Sequence, residues 1–205
     1  QFSINYGLRV SSFFRMGGQP IYTYDKDEPV SFNQNSGIYE EGEIIGETNY
    51  DKDEVIKTFY GLEPRLSISF SPNEGNAFKA SYNRMFQYIH LISNTVSAAP
   101  LDVWTPSGPY IEPQILDQYA IGYFKNLQDG DYSIETEVYY KDVQNRLDYR
   151  DGADLIAQNQ IETIVLSGKS RSYGLELSLK KNTGNFKGWI SYTLSNTEQK
   201  VVGTT

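Results

Sequence analysis

Apolar and polar residues alternate along most of this chain. Phe2, Ile4, Tyr6, Leu8 and Val10 share one face of an extended segment, and Ser3, Asn5, Gly7, Arg9 and Ser11 share the other. A period of two marks a strand with one wetted face. The pattern returns with Tyr60, Leu62, Pro64, Leu66, Ile68 and Phe70 against Arg65, Ser67, Ser69 and Ser71, and again with Phe78, Ala80 and Tyr82 against Lys79, Ser81 and Asn83. Tyr119, Ile121 and Tyr123 carry it through a segment from Ile115 to Lys125. The clearest case sets Tyr132, Ile134, Thr136, Val138 and Tyr140 against Ser133, Glu135, Glu137, Tyr139 and Lys141. Tyr173 to Leu179 and Phe186 to Leu194 complete the series. Helical spacing matches almost nowhere, so the expected fold is all-β, an antiparallel up-and-down meander of about seven long strands. Two residues sit badly in it: Pro64 has no N–H for a ladder, and Trp189 falls on the polar side.

Connection lengths carry a second signal. Short turns at 71–76, 126–130 and 181–185 alternate with long connections at about 15–56, 90–114 and 147–163. Short and long therefore lie at opposite ends of the sheet, the plan of an outer-membrane barrel with tight periplasmic turns and long extracellular loops. A soluble or surface-attached β-sandwich that binds a ligand also alternates its faces and is the alternative, but nothing in its physics makes every second connection long. Tyr132 and Tyr140 bracket one apolar face, about 20 Å apart along the membrane normal for a tilted strand, close to the spacing of aromatic girdles. Glu135, Glu137, Lys141, Arg9 and Arg65 must then face a wetted lumen, because a charge in lipid costs several kcal/mol.

Composition removes other classes. The 205 residues include no cysteine and one histidine, which excludes thiolate chemistry and leaves a His-based zinc site or a serine triad improbable. A net charge of −8 without a basic stripe argues against nucleic acid as partner. No apolar run is long enough for a transmembrane helix, which a barrel does not need. Glu135 and Glu137 stand roughly 7 Å apart on one face, a separation glycosidases use, yet a lumen wall needs such charges anyway. No enzyme, cofactor or metal site is expected. The acidic runs Tyr24-Asp25-Lys26-Asp27-Glu28 and Tyr50-Asp51-Lys52-Asp53-Glu54 do not complete a calcium loop and are read as solvated. Gly168-Lys169-Ser170 lacks the rest of a phosphate loop and is read as strand and rim.

Several ordered motifs then carry a family resemblance: Gln118-Tyr119-Ala120-Ile121-Gly122-Tyr123, Glu135 to Lys141, Gly168 to Leu177, and Gly188-Trp189-Ile190-Ser191-Tyr192-Thr193-Leu194-Ser195. Gly7-Leu8-Arg9, Glu63-Pro64-Arg65-Leu66-Ser67 and Pro100 to Pro106 also fit. Together they resemble the barrel of TonB-dependent outer-membrane receptors of the Bacteroidetes type. The resemblance implies a plugged barrel of about 22 strands in a Gram-negative outer membrane. It also implies active import of a scarce siderophore, vitamin, peptide or glycan, with outer-membrane lipid, the TonB complex and a surface lipoprotein as partners. No stretch reads as a plug and no aromatic residue ends the chain, so residues 1–205 are expected to be a partial barrel domain from the C-terminal half.

The region that looks most like a ligand site begins at Arg84, Phe86, Tyr88 and His90 and runs into Asp102, Trp104 and Tyr110. Aromatic faces and a titratable ring at the outer mouth can stack on and hydrogen-bond a ligand. Arg84, Tyr88, His90, Asp102, Trp104 and Tyr110 are the candidate ligand contacts, against the reading that they belong to the aromatic girdle and pack the rim.

Overall fold

A computed structural model describes residues 1–92, 103–150 and 160–201. Its centre is one antiparallel sheet of seven strands: β1 (Phe2–Met16), β6 (Val55–Asn73), β7 (Asn76–Gln87), β10 (Gln114–Leu127), β11 (Tyr132–Tyr149), β12 (Val165–Lys181) and β13 (Gly188–Val201). They pair in that order, each with the next in the chain, which is the expected meander. The remaining strands are short and lie in the long connections. β2 (Pro20–Tyr24) pairs with β5 (Ile44–Asn49), β3 (Val30–Asn33) with β4 (Ile38–Glu41), and β8 (Ile89–Ile92) with β9 (Val103–Pro106). The first long connection is thus not simply a solvated loop but carries two short strand pairs.

Three boundaries differ from the sequence reading. β7 runs on through Arg84 to Gln87 because β10 pairs with it along that whole length. β12 starts at Val165, where β11 continues to Tyr149 and supplies its partner residues. The last strand begins at Gly188, and Phe186 lies outside it, 87% exposed.

The misfit proline and tryptophan acquire positions. β6 pairs with β1 along its full length but with β7 only from Arg65 to Asn73, so Pro64 stands where the β6–β7 ladder ends. Trp189 opposes Lys180 at the short-turn end of the polar face.

Register turns the strand patterns into rows. On the apolar face, Tyr82, Tyr119, Tyr140 and Tyr173 are successive cross-strand partners, and Asn196 follows them. The Tyr82 and Tyr119 rings lie 4.9 Å apart. One step toward the long connections, Arg84, Asp117, Asp142, Arg171 and Glu198 form a parallel row of charges. On the other side of the tyrosines the face is apolar, with Ile121, Val138, Leu177 and Ile190 exposed. A band of hydrocarbon-like surface closed by tyrosines and then by ions is the profile of a wall that leaves lipid for water. A sandwich would cover this face with a second sheet; none lies on it among the described residues.

Candidate functional site

The long connections gather at one end of the sheet, and their contacts converge on Tyr24. Its side chain is 1% exposed, at the end of β2. The hydroxyl donates to Glu162 Oε1 at 3.0 Å, and the edge of its ring meets Tyr110 at 5.3 Å. One residue from each long connection therefore shares a single contact. Tyr110 is also tied to Asp27, and burial raises the pKa of both phenols, so both stay protonated donors at neutral pH. Arg150 pairs with Glu41, a second bridge between the first and third connections. Ile92, Ile111, Ile164 and Val165 make a small apolar core beneath these contacts.

Beside this hub opens a cleft of about 400 Å³. Arg15, Tyr22, Tyr110, Gln160 and Glu162 line it, with Pro20, Pro106 and Pro109 between them. Both charge signs, two phenols and two amides line the same space, so the cleft can hydrogen-bond a polar ligand and offer ring faces to it. Among the described residues no group of histidine and acidic side chains is arranged to hold a metal ion.

The structure separates the candidate ligand contacts. Tyr110 lines the cleft. Trp104, 64% exposed on β9, opposes Leu91 in the neighbouring strand. His90 is buried opposite Thr105, with Nε2 3.0 Å from Ser107 Oγ and Nδ1 without a partner among the described residues. Tyr88 stacks on Phe13 at 5.2 Å, and its hydroxyl is 2.7 Å from Ser11 Oγ. Arg84 belongs to the ionic row on the apolar face, where Nε and Nη2 bind the two oxygens of Asp117 at 2.8 and 2.7 Å. Asp102 lies outside the described residues.

A second polar group sits lower on the wall. Glu63 is 2% exposed and accepts from Ser11 Oγ at 2.8 Å, while guanidinium nitrogens of Arg9 and Arg65 stand 3.8 and 3.9 Å from its other oxygen. Ser11 thus links Glu63 to Tyr88. Gly61 makes room for this contact, because a Cβ there would stand 2.4 Å from the Tyr88 hydroxyl. Sequence reading placed Tyr24 in a solvated acidic run and Glu63 in a family motif, and passed over Arg15 and Glu162. The buried role of Tyr24 depends on a partner 138 residues away.

His90 makes the β8–β9 hairpin sensitive to acid. Burial, and secondarily the charge of Arg146, hold its pKa below the usual imidazole value. Folded His90 therefore binds a proton less readily than unfolded His90, and its contribution to stability is full above about 6.5 and is lost as pH falls through the lower folded value. Hydrogen exchange across residues 103–111, corrected for the intrinsic pH dependence, is expected to accelerate between neutral pH and pH 5 in the wild type and not in His90→Gln. Equal acceleration in both would remove His90 as the cause.

No curated protein sequence matches this chain. Among solved structures it is similar to the FrpB iron transporter from Neisseria meningitidis (F3-3 variant), with 13% identity and a TM-score of 0.55. The match takes in 98% of this chain and 24% of that transporter, so the chain spans about a quarter of its length. At that identity the likeness is one of fold. The sequence model described as TonB dependent receptor-like, beta-barrel matches residues 1–205. That family is one of receptors and transporters rather than an enzyme class. On this full-length match, the chain belongs to the TonB-dependent receptor β-barrel family of the Gram-negative outer membrane.

Proposed function

We propose that this chain is part of the wall and outer mouth of a receptor that binds a scarce nutrient and imports it by TonB-transmitted energy. The observation that carries the reading is the cleft where three long connections converge on Tyr24, at the end of a family barrel whose apolar face is banded for lipid. A site built from several loops on a rigid sheet is where binding residues concentrate. In this reading the long connections are extracellular and the short turns periplasmic. Tyr110, Tyr22, Arg15 and Glu162 contact the ligand, with Trp104 on the approach. Tyr88 and His90 complete the mouth region, Arg84 acts from the outer wall, and Asp102 is kept as a further ligand contact.

The motif likeness to receptors of the Bacteroidetes type extends the proposal to a surface lipoprotein that closes over the mouth. The ligand is a siderophore, vitamin, peptide or glycan, and the transducing partner engages a plug region that these residues do not supply. Residues 1–205 accordingly form a partial barrel domain. Deleting the parent gene and growing cells on limiting ferric siderophore, cobalamin, oligopeptide or oligosaccharide tests this. Growth on one class should fail, and should fail equally without TonB. Undiminished growth on all four, or uptake that survives loss of TonB, would overturn the reading.

A further inference from the structure

A second cleft, of about 290 Å³, opens at the short-turn end of the sheet. It is lined by Tyr132, Leu179, Lys181, Phe186, Lys187 and Ile190, together with Gly188 and Trp189. Leu179 and Ile190 oppose each other across β12 and β13, and Leu177 and Leu175 extend the same apolar row along β12. Lys181 belongs to the next pair, opposite both Tyr132 and Gly188. Its ammonium lies 2.9 Å from the Tyr132 hydroxyl and 4.9 Å from the ring centroid, which fixes a cation at the rim. Asp131, the acidic group that acts on Lys181, is itself engaged by the Thr183 hydroxyl. Lys187 supplies a second cation.

Gly188 explains why the cleft is open. Among the described residues a Cβ built there meets nothing within 4 Å, and its φ is not in the left-handed region. Within the described residues, neither crowding nor backbone conformation requires glycine. Its missing side chain leaves a gap in the row between Lys181 and the exposed Phe186.

An apolar slot continuous with the lipid-facing surface, ended by two ammonium groups at the water side, complements one kind of molecule: an amphiphile with an acyl chain and an anionic phosphate. We propose that this cleft holds a phospholipid, its chain along Leu179 and Ile190 and its phosphate at Lys181 and Lys187. Assigning it to the periplasmic leaflet rests on the orientation proposed above; the cleft and its chemistry do not.

Native mass spectrometry of the full-length receptor in nonionic detergent tests this, with phosphatidylglycerol and diacylglycerol of equal chain length as probes. The wild type should retain phosphatidylglycerol at least about tenfold better, a difference of about 1.4 kcal/mol. Lys181→Gln/Lys187→Gln should abolish that preference. Gly188→Leu should fill the slot and lose both lipids while the barrel stays folded. Equal retention of the two lipids by the wild type, or unchanged retention in Gly188→Leu, would overturn the proposal. Surface labelling that placed the short turns outside would reassign the leaflet and leave the retention ratio as predicted, so the two failures are distinguishable.

Discussion

Gly174→Val is expected to abolish the folded barrel, whereas Gly188→Val leaves it intact. Both glycines lie in strands of the main sheet, so loss of a flexible residue does not distinguish them. A Cβ at Gly174 would stand 2.7 Å from the Leu194 carbonyl oxygen and 2.9 Å from the Tyr139 hydroxyl. The ring can swing away. The carbonyl belongs to β13 beside the Gly174–Ser195 pair and can retreat only by opening the β12–β13 ladder. Overpacking costs about 1–3 kcal/mol in cores that can adjust, and opening the ladder adds unpaired backbone groups beside lipid, each worth several more. Among the described residues no atom stands in the way at Gly188. Heat-modifiable migration in SDS gels of the full-length variants reads the result: the folded band should disappear for Gly174→Val and persist for Gly188→Val. Persistence in both would show that the close approach at Gly174 is not a constraint.

The second large effect is expected in the ionic row. Asp117 is buried, accepts both guanidinium contacts of Arg84, and accepts from the Tyr82 hydroxyl at 2.7 Å. Asp117→Ala leaves a guanidinium and a phenol without their acceptor at the edge of the lipid band. Hydrogen bonds to charged groups contribute about 1.5–3 kcal/mol, and removing one partner of a close pair costs more than removing both. The position beside the tyrosine row, near the interface, moderates the penalty for an unpaired arginine relative to the bilayer centre. We expect Asp117→Ala to lower stability by about 2 kcal/mol and Arg84→Leu/Asp117→Leu to recover most of it, because the double variant leaves no unpaired charge at the lipid boundary. Urea unfolding of the receptor in lipid vesicles measures both. A double variant no more stable than Asp117→Ala would place this row in water rather than at the lipid boundary.

The same row shows where sequence reading reached and where it stopped. Alternation marks the faces of all seven strands because each carries its own period-two record, and three of the six connections between them are short turns that can be seen in the sequence. In sequence the β7 pattern breaks off at Arg84, where a charge interrupts an apolar series. Only its partner on β10, 33 residues on, makes that charge consistent with the face it occupies. Four tyrosines on four strands likewise read as separate residues until register aligns them. The cleft was less legible still. Tyr110 was within reach as an aromatic in a long connection, but Arg15, Tyr22 and Glu162 come from the end of a strand and two other connections. No spacing along the chain brings them together.

The short strands of the first connection had a faint signal in Ile21, Tyr22, Ile44 and Ile45. Runs of four to six residues are too brief to separate from loop, and the acidic residues around them suggested solvent. The burial of Tyr24 inside that acidic stretch follows from contacts with the other two long connections, which no local pattern encodes.

The most direct test of the account is which side of the membrane each end of the sheet occupies. These residues contain no cysteine, so Asn35→Cys in the first long connection and Glu74→Cys in a short turn each place one exposed thiol on this part of the receptor. With the unsubstituted receptor as control, a membrane-impermeant maleimide applied to intact cells should label Asn35→Cys and should label Glu74→Cys only after the outer membrane is permeabilised. Labelling of Glu74→Cys on intact cells, with Asn35→Cys protected, would contradict a ligand mouth built from the long connections.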